Sequence, residues 1–92
     1  MAIEKCRGCL SDDRRLYGIG YGEDETGKYI VTSDGERIRV QRVERFIATD
    51  RRGNDVYEWD MLWSADAPRD KKLWTAYLHD KEDIEEGWKW LM

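Results

Sequence analysis

Hydrophobic and polar residues alternate along four short segments of the chain, which is the pattern of half-buried β-strands. These segments are residues 16–22, 28–32, 37–40 and 56–63. A fifth segment, residues 73–78, is apolar on both faces, as expected of an interior strand. The Asp34-Gly35 pair predicts a tight hairpin turn between the second and third segments. Short strands joined by Gly- and Asp-rich turns predict a mainly β protein, built as a small antiparallel partial barrel.

Two features interrupt the simple alternation. In the first segment Tyr17, Ile19 and Tyr21 share one face of the strand, and Gly18, Gly20 and Gly22 share the other. A glycine face permits strong curvature or the close approach of a neighbouring side chain. Beyond the third segment the spacing of the apolar residues becomes helical, which predicts a bulge or a single helical turn. The residues concerned are Val40, Val43, Phe46 and Ile47.

The C-terminal end of the chain, residues 80–92, predicts an acidic helix or turn followed by a closing strand. Asp80 is placed to cap this helix at its beginning, and Gly87 is placed to end it. One continuous helix over residues 81–91 is the alternative, because the apolar residues there also fit a helical face.

Length and composition predict a small folded domain. The chain has 92 residues, 39% of them charged, and five Trp and five Tyr supply the large buried area that a short chain needs to fold. No repeat or change of composition marks a boundary, so we expect a single domain over residues 1–92, with residues 1–16 as an N-terminal segment that carries two cysteines. No run approaches the ~18 apolar residues of a membrane span, and the first ten residues are too polar for a signal peptide. We therefore expect a cytoplasmic protein.

The net charge of -4 is distributed unevenly along the chain. Nine basic and nine acidic side chains cancel in residues 1–46, whereas residues 47–92 carry seven basic and eleven acidic ones. A sequence pI near 5.0 argues against general binding to a nucleic-acid backbone, which requires a basic face. The acidity therefore favours a protein partner over nucleic acid.

The number of tryptophans also favours a protein partner. Five Trp exceed what a minimal barrel easily buries, so one or two of them are expected to be partly exposed. Trp88 and Trp90 follow an acidic stretch that ends in Glu85 and Glu86. An exposed Trp beside acidic residues is typical of a hot spot for protein binding, so we predict a partner-binding surface at these four residues.

A cluster of arginines suggests a second, different function. Arg37 and Arg39 share one face of a predicted strand, Tyr29 is expected to lie across from them, and Arg42 extends the basic stretch. An arginine stripe beside an aromatic ring is how a small barrel grips single-stranded nucleic acid or a nucleotide. A ligand-binding barrel that uses these four residues is therefore the alternative function.

The segment Cys6-Arg7-Gly8-Cys9 has the spacing of a metal or redox motif. Two thiolates at this spacing can grip a zinc ion, but a structural zinc site has four ligands, and His79 is the only histidine of the chain. Such a site would need carboxylates or a second copy of the protein, which would make the chain a homo-oligomer. The other interpretation is a pair of reduced thiols, at least one of them packed in the core.

No arrangement of residues in the sequence points to catalysis. His79 has acidic neighbours but no nucleophile at the spacing of a triad. Glu58 and Asp60 would share a strand face roughly 7 Å apart, where carboxylates are usually only solvated. We therefore expect a non-enzymatic protein without a cofactor.

Two separated segments carry a resemblance to a known family. Residues 5–17 read KCRGCLSDDRRLY, and residues 50–62 read DRRGNDVYEWDML. The first resembles the opening of the YopX family of phage and prophage proteins. The second resembles the family's strongest signature, Asp-Lys-Asn-Gly-Lys-Glu-Ile-Tyr-Glu-Gly-Asp-Ile-Val. Cys6 and Cys9 stand where the family has aromatic residues, and Trp59 stands where the signature has the Gly of Glu-Gly-Asp.

The resemblance implies a fold, an origin and the absence of an established activity. It implies an SH3-like barrel and a phage-related protein in the cytoplasm of a bacterial host cell. Taken with the acidity and the excess of Trp, it predicts a non-enzymatic phage- or prophage-derived accessory protein that acts by binding a host or phage protein.

At Trp59, strand alternation and the resemblance lead to different expectations. A Gly at this position would supply a positive φ or a close backbone approach, neither of which Trp does cheaply. Alternation instead places Trp59 in ordinary β geometry, in one inward row with Tyr57, Met61 and Trp63. On that interpretation Trp59→Ala would unfold or severely destabilise the protein, and Trp59→Gly would not rescue it.

Overall fold

The computed structural model describes residues 3–65 and 74–92. Strands make up 50% of these residues, and one short α-helix is present among them, which confirms the prediction of a mainly β protein with a short helix. The chain divides into two compact units, Met1–Phe46 and Ile47–Met92. The division falls at the point that separates the half of the sequence with no net charge from the acidic half. The expected single domain over residues 1–92 stays a prediction.

The first unit contains two antiparallel sheets. Its strands are β1 (Cys6–Cys9), β2 (Arg15–Gly18), β3 (Gly20–Asp24), β4 (Gly27–Val31), β5 (Arg37–Arg39) and the beginning of β6 (Arg42–Thr49). β1 lies between β2 and β6, and β4 lies between β3 and β5. The turn between β4 and β5 contains Asp34 and Gly35, with Gly35 at a φ of 86°, as the sequence predicted.

The strand predicted over residues 16–22 is divided into β2 and β3 by a bend at Ile19, where the chain passes from one sheet to the other. Gly18 allows Val31 of β4 to come close to β2, because a Cβ at Gly18 would lie 2.8 Å from the carbonyl oxygen of Val31. A Cβ at Gly22 would lie 2.5 Å from the hydroxyl of Tyr29. The glycine face therefore permits the close approach of a neighbouring side chain, one of its two expected roles, and the ring of Tyr29 lies against Gly22.

The two sheets of the first unit face each other across a small core. Cys6, Ile30 and Val40 are buried there. Gly8 allows the sheets to approach, because a Cβ at Gly8 would lie 2.6 Å from Val40 and 3.0 Å from Ile30. The result is a curled antiparallel half-barrel, which confirms the predicted partial barrel and is compatible with an SH3-like fold.

Of the two alternatives predicted beyond the third segment, a bulge or a single helical turn, the helical turn is wrong. The chain bends at Gln41 and then forms β6, the longest strand among the described residues. Glu44 lies opposite Arg7 of β1 and is fully buried. Because Glu44 is polar although it is buried, the alternation of apolar residues along this strand is interrupted in the sequence. The neighbouring apolar residues then happen to have helical spacing.

The second unit packs short strands and one helix around a separate core. After the end of β6 come β7 (Asp55–Tyr57), β8 (Met61–Ser64), β9 (Trp74–Thr75), a 3₁₀ turn (Leu78–Asp80), α1 (Lys81–Glu86) and β10 (Lys89–Leu91). β8 lies between β10 and β9, and its pairings are antiparallel. The core residues are Ile47, Ala48, Val56, Leu62, Ala76 and Ile84. No helix in the described part of the chain is long and apolar enough to cross a membrane.

The predicted strand over residues 73–78 is shorter in the structure. Only Trp74 and Thr75 form β9, and a 3₁₀ turn has begun by Leu78. Residue 73 lies outside the described residues.

The C-terminal end is a helix followed by a strand, so the continuous helix over residues 81–91 is wrong. Gly87 adopts a left-handed φ of 90° and ends α1, as predicted. Asp80 occupies the N-cap position, but its carboxylate accepts no hydrogen bond from the helix. It instead accepts the backbone N–H of Tyr77 at 2.9 Å and the Nζ of Lys89 at 2.7 Å, which corrects the predicted capping role.

Candidate functional site

Exposed large apolar side chains lie mainly in the second unit. Among the described residues, ten large apolar side chains are exposed, and seven of these belong to Ile47–Met92. They are Trp59, Met61, Trp74, Tyr77, Leu78, Trp88 and Met92. The same unit carries the whole acidic excess of the sequence. Exposed apolar surface with polar surroundings is a mark of interaction sites, so this acidic, aromatic unit is the candidate interaction region.

Three rings of the second unit form what we call the aromatic ridge: Trp59, Tyr77 and His79. The Trp59 and Tyr77 rings meet edge to face with centroids 5.5 Å apart. Tyr77 and His79 stack with centroids 5.7 Å apart and planes 14° from parallel. Trp59 is 44% exposed, Tyr77 41%, and the side chain of His79 is 79% exposed. The ridge therefore presents three ordered ring surfaces to solvent.

The backbone around Trp59 explains how the ridge is held. Trp59 lies in the turn between β7 and β8, where its N–H donates to the carbonyl of Ala76 at 2.9 Å. The carboxylate of Asp60 accepts the N–H of Tyr57 at 2.9 Å and closes the turn. Trp59 adopts a φ of 73°, a left-handed conformation that disfavours every residue with a Cβ. Such a conformation on a large exposed side chain is typical of a position where function overrides local stability.

The expected inward row of Tyr57, Trp59, Met61 and Trp63 is therefore wrong. A turn separates β7 from β8, and of the four side chains only Tyr57 is buried. The glycine of the family signature was the informative signal, because the turn needs the positive φ that glycine supplies. The sequence places Trp where that geometry is costly, and strand alternation across residues 57–63 concealed the turn.

Asp80 is a buried carboxylate that holds the aromatic ridge in position. It is 3% exposed, and its bond to the N–H of Tyr77 holds the segment that carries Tyr77 and His79. Burial works to raise the pKa of Asp80, but the bonds from Lys89 and from the N–H of Tyr77 outweigh it and hold the pKa below its usual value. Lys89 also pairs with Asp83 of α1 at 3.2 Å. The carboxylate and the ammonium together join the ridge to α1 and β10.

We expect acid to destabilise the second unit through Asp80 and Asp50. Burial opposes ionisation of Asp50 too, yet three backbone N–H groups outweigh it and lower its pKa. A carboxyl whose pKa is lower in the folded than in the unfolded state stabilises the fold fully above about pH 4, and the stabilisation is lost as the pH falls through the folded-state pKa. Urea unfolding between pH 7 and pH 2.5 should show this decline, and a flat profile below pH 4 would contradict it.

The residues predicted from sequence as a partner surface lie in the same unit but do not form one patch. Trp88 is 50% exposed, next to the end of α1 where Glu85 and Glu86 are also exposed. Trp90 is half-buried, lies opposite Trp63 on β8, and the guanidinium of Arg52 lies 5.2 Å from the centre of its ring. Sequence reasoning expected one or two exposed Trp, whereas Trp59 and Trp74 are exposed along with Trp88.

The basic residues of the alternative site are partly brought together. Tyr29 pairs with Arg39 across β4 and β5, and the guanidinium of Arg37 lies 4.6 Å from the centre of the Tyr29 ring. Arg39, however, bonds to Asp24 at 2.8 Å, and this contact holds the pKa of Asp24 well below its usual value. Arg42 lies on β6 in the other sheet, where it bonds to Glu44. Two of the three arginines of the predicted stripe are therefore paired with carboxylates.

The two cysteines do not form a joint site. They are at the ends of β1, three residues apart, so strand alternation directs their side chains to opposite faces of the sheet. Cys6 is fully buried, donates to the carbonyl of Gly20, and burial raises the pKa of its thiol. Cys9 is half-buried and accepts from Arg42 at 3.7 Å. The prediction that at least one thiol is packed in the core is confirmed.

The other polar side chains with possible chemistry, Glu58, Asp60 and His79, do not form a joint site either. Asp60 closes the Trp59 turn, so it does not share a strand face with Glu58 as alternation had suggested. His79 lies 3.6 Å from the carboxylate of Asp80, which already bonds to Tyr77 and Lys89. Among residues 3–65 and 74–92 no three His, Cys, Asp or Glu side chains come together in an arrangement that could hold a metal ion.

No protein-family model, no curated protein and no solved structure matches the chain. The resemblance to the YopX family stays a prediction.

Substitutions at Trp59 provide a direct test of the left-handed turn. Trp59→Gly and Trp59→Ala both remove the contact with Tyr77, but only glycine adopts the φ of 73° without strain. We expect the glycine variant to be more stable than the alanine variant by about 1 kcal/mol in urea unfolding. Equal stability, or a more stable alanine variant, would contradict the left-handed conformation of Trp59.

Proposed function

We propose that this chain is a non-enzymatic binding protein that holds a protein partner through the aromatic ridge of its second unit. The observation that carries the proposal is Trp59, an exposed indole kept in a strained turn and stacked edge-on against Tyr77. Trp and Tyr are the residues that contribute most to protein–protein hot spots, because they bury a large rigid area at low entropic cost.

The charge of the second unit indicates the chemistry of the partner. Residues 47–92 carry four more acidic than basic side chains, and Glu82, Glu85 and Glu86 of α1 are exposed. Acidic groups attract a basic partner during encounter, and the faces of Trp and Tyr bind arginine and lysine by cation–π contact. The partner is therefore a protein with an exposed cluster of arginine or lysine residues.

The setting of this interaction rests on the sequence alone. Two segments resemble the YopX family, so a phage or prophage origin and a host or phage protein as partner belong to the proposal, in the cytoplasm of a bacterial cell. The expected partner-binding residues Trp88, Glu85 and Glu86 are exposed in the same unit as the ridge.

Binding of defined peptides tests the proposal. An arginine-rich peptide and a glutamate-rich peptide of equal length should be titrated against the protein while its tryptophan fluorescence is followed. We expect binding of the arginine-rich peptide only, weakened by salt because part of the attraction is electrostatic. Trp59→Gly should weaken this binding by about tenfold or more, since loss of a hot-spot residue costs about 2 kcal/mol or more.

Matched variants distinguish the ridge from the rest of the surface. Tyr17→Ala removes an aromatic ring of the first unit that is 62% exposed, and it should leave binding unchanged. Trp88→Ala measures how much the surface predicted from sequence contributes to peptide binding. Equal binding of both peptides, or equal affinity of wild type and Trp59→Gly, would overturn the proposal. Salt-sensitive binding of single-stranded nucleic acid that is lost in the Arg37→Ala, Arg39→Ala double variant would favour the alternative at Tyr29 instead.

A further inference from the structure

Glu44 organises a group of arginines on the first unit. Its carboxylate is fully buried and lies 2.6 Å from Nε of Arg7, 2.8 Å from Nη2 of Arg42 and 3.6 Å from Nε of Arg15. These residues occupy three neighbouring strands, β2, β1 and β6, and the strand register places them on the same face of the sheet. One carboxylate thus holds three guanidinium groups in fixed positions.

Two of these arginines also face solvent. The side chain of Arg7 is only 6% exposed, whereas the side chains of Arg15 and Arg42 are 47% and 46% exposed. Both line a hollow of about 370 Å³ at this edge of the first unit. The remaining lining residues are Cys9, Leu10, Asp13 and Gln41. The hollow thus contains two guanidinium groups, one carboxylate, an amide and a thiol.

We propose that this hollow binds a phosphate-like oxyanion between Arg15 and Arg42. A guanidinium presents its N–H donors as a planar fork that matches phosphate and carboxylate oxygens, and it is always charged. Glu44 holds part of each guanidinium, which reduces the conformational entropy that binding would otherwise remove. Gln41 adds an amide that can donate to the same ligand.

Size and charge indicate which oxyanion fits. The lining has one positive charge in excess, which favours an anion even though the chain as a whole is acidic. The hollow lies at the small end of the range of ligand pockets, roughly 300–1,000 Å³, so it accepts a phosphate ion or the phosphoryl end of a small phosphate monoester. The side chain of Leu10 provides an apolar contact for the organic part of a monoester. This site lies on the first unit and is independent of the aromatic ridge.

The thiol of Cys9 provides a reporter for the test. Cys9 lines the hollow and lies 3.7 Å from Arg42, whereas Cys6 is fully buried and unavailable to reagents in the folded protein. Iodoacetamide labelling of the protein should be followed by mass spectrometry while inorganic phosphate replaces chloride at constant ionic strength. We expect phosphate to slow labelling of Cys9 in a saturable way.

Arg15→Gln and Arg37→Gln are the matched variants, because each removes one half-exposed or exposed arginine charge and only Arg15 lines the hollow. Arg15→Gln should need about tenfold more phosphate for the same protection, the effect of losing one charge-assisted contact, and Arg37→Gln should behave like wild type. Ribose 5-phosphate in place of phosphate tests for a monoester, since better protection by the ester assigns the site to a phosphoryl group. Absence of saturable protection, or equal protection in wild type and Arg15→Gln, would overturn the proposal.

Discussion

Replacing Glu44 with alanine should lower the free energy of unfolding by about 3–5 kcal/mol, because it removes one partner of a buried ion pair. Glu44 is fully buried and Arg7 is 5% exposed, so water does not take the place of the lost carboxylate. The substitution also leaves Arg15 and Arg42 without the anion that offsets their mutual repulsion. Urea unfolding of the variant against wild type measures the loss.

Two further variants establish the cause. Glu44→Gln retains the shape and one oxygen acceptor but removes the charge, so it should fall between wild type and Glu44→Ala. Glu36→Ala, an exposed carboxylate in the β4–β5 turn, controls for the loss of an acidic side chain and should change stability by less than about 1 kcal/mol. A loss at Glu44→Ala as small as that of the control would show that the carboxylate is solvated rather than buried.

The regular part of the fold followed from local patterns. The Asp34-Gly35 turn and the end of α1 at Gly87 each depend on a positive φ that glycine adopts without strain, and that property is independent of distant residues. The curled antiparallel sheet of the first unit followed from the alternating segments in the same way.

The failures of prediction share a different cause. Glu44 is buried because Arg7 lies opposite it on another strand, and a pair separated by 37 residues leaves no local signal in the sequence. Alternation across residues 57–63 was genuine in the sequence, but the turn at Trp59 depends on the carboxylate of Asp60 and on the carbonyl of Ala76. Two polar contacts therefore determine the backbone conformation at Trp59, although the alternation of hydrophobic residues there is that of a strand.

The candidate sites were predictable only in part. Exposed Trp in an acidic half was expected from composition, and Trp88 is half exposed as an interaction surface would need. The aromatic ridge was missed because it joins Trp59 to residues 77 and 79, which lie in a segment with no distinctive motif. The Arg15–Arg42 hollow was missed because its members lie on two strands that meet only through β1. The motif that does stand out in the sequence, Cys6 and Cys9, is divided between the two faces of one strand.

Asp50 was also invisible in the sequence, although it connects two distant parts of the second unit. Its Oδ1 accepts the backbone N–H groups of Arg52 and Asn54, each at 2.9 Å, and its Oδ2 accepts the N–H of Leu91 at 2.9 Å. The first two bonds shape the turn between β6 and β7, and the third attaches β10 to that turn. Asp50 is 5% exposed, so its buried carboxylate depends on these three N–H groups for hydrogen bonds.

Asp50→Ala should therefore destabilise the protein by about 3 kcal/mol, because three hydrogen bonds to one carboxylate are lost and each contributes about 1 kcal/mol. The loss of stability should also be greatest at the residues that Asp50 contacts. Amide hydrogen exchange at Leu91 should accelerate along with that at Arg52 and Asn54, since one side chain protects all three groups. Asp55→Ala is the matched control, because Asp55 lies in the same unit, is exposed, and accepts a hydrogen bond from the hydroxyl of Thr49 at 3.0 Å. This substitution should lower the free energy of unfolding by less than about 1 kcal/mol. If Asp50→Ala were no more costly than this control, or if exchange at Leu91 were unchanged, β10 would be held by its pairing with β8 and by the packing of Leu91 rather than by the Asp50 carboxylate.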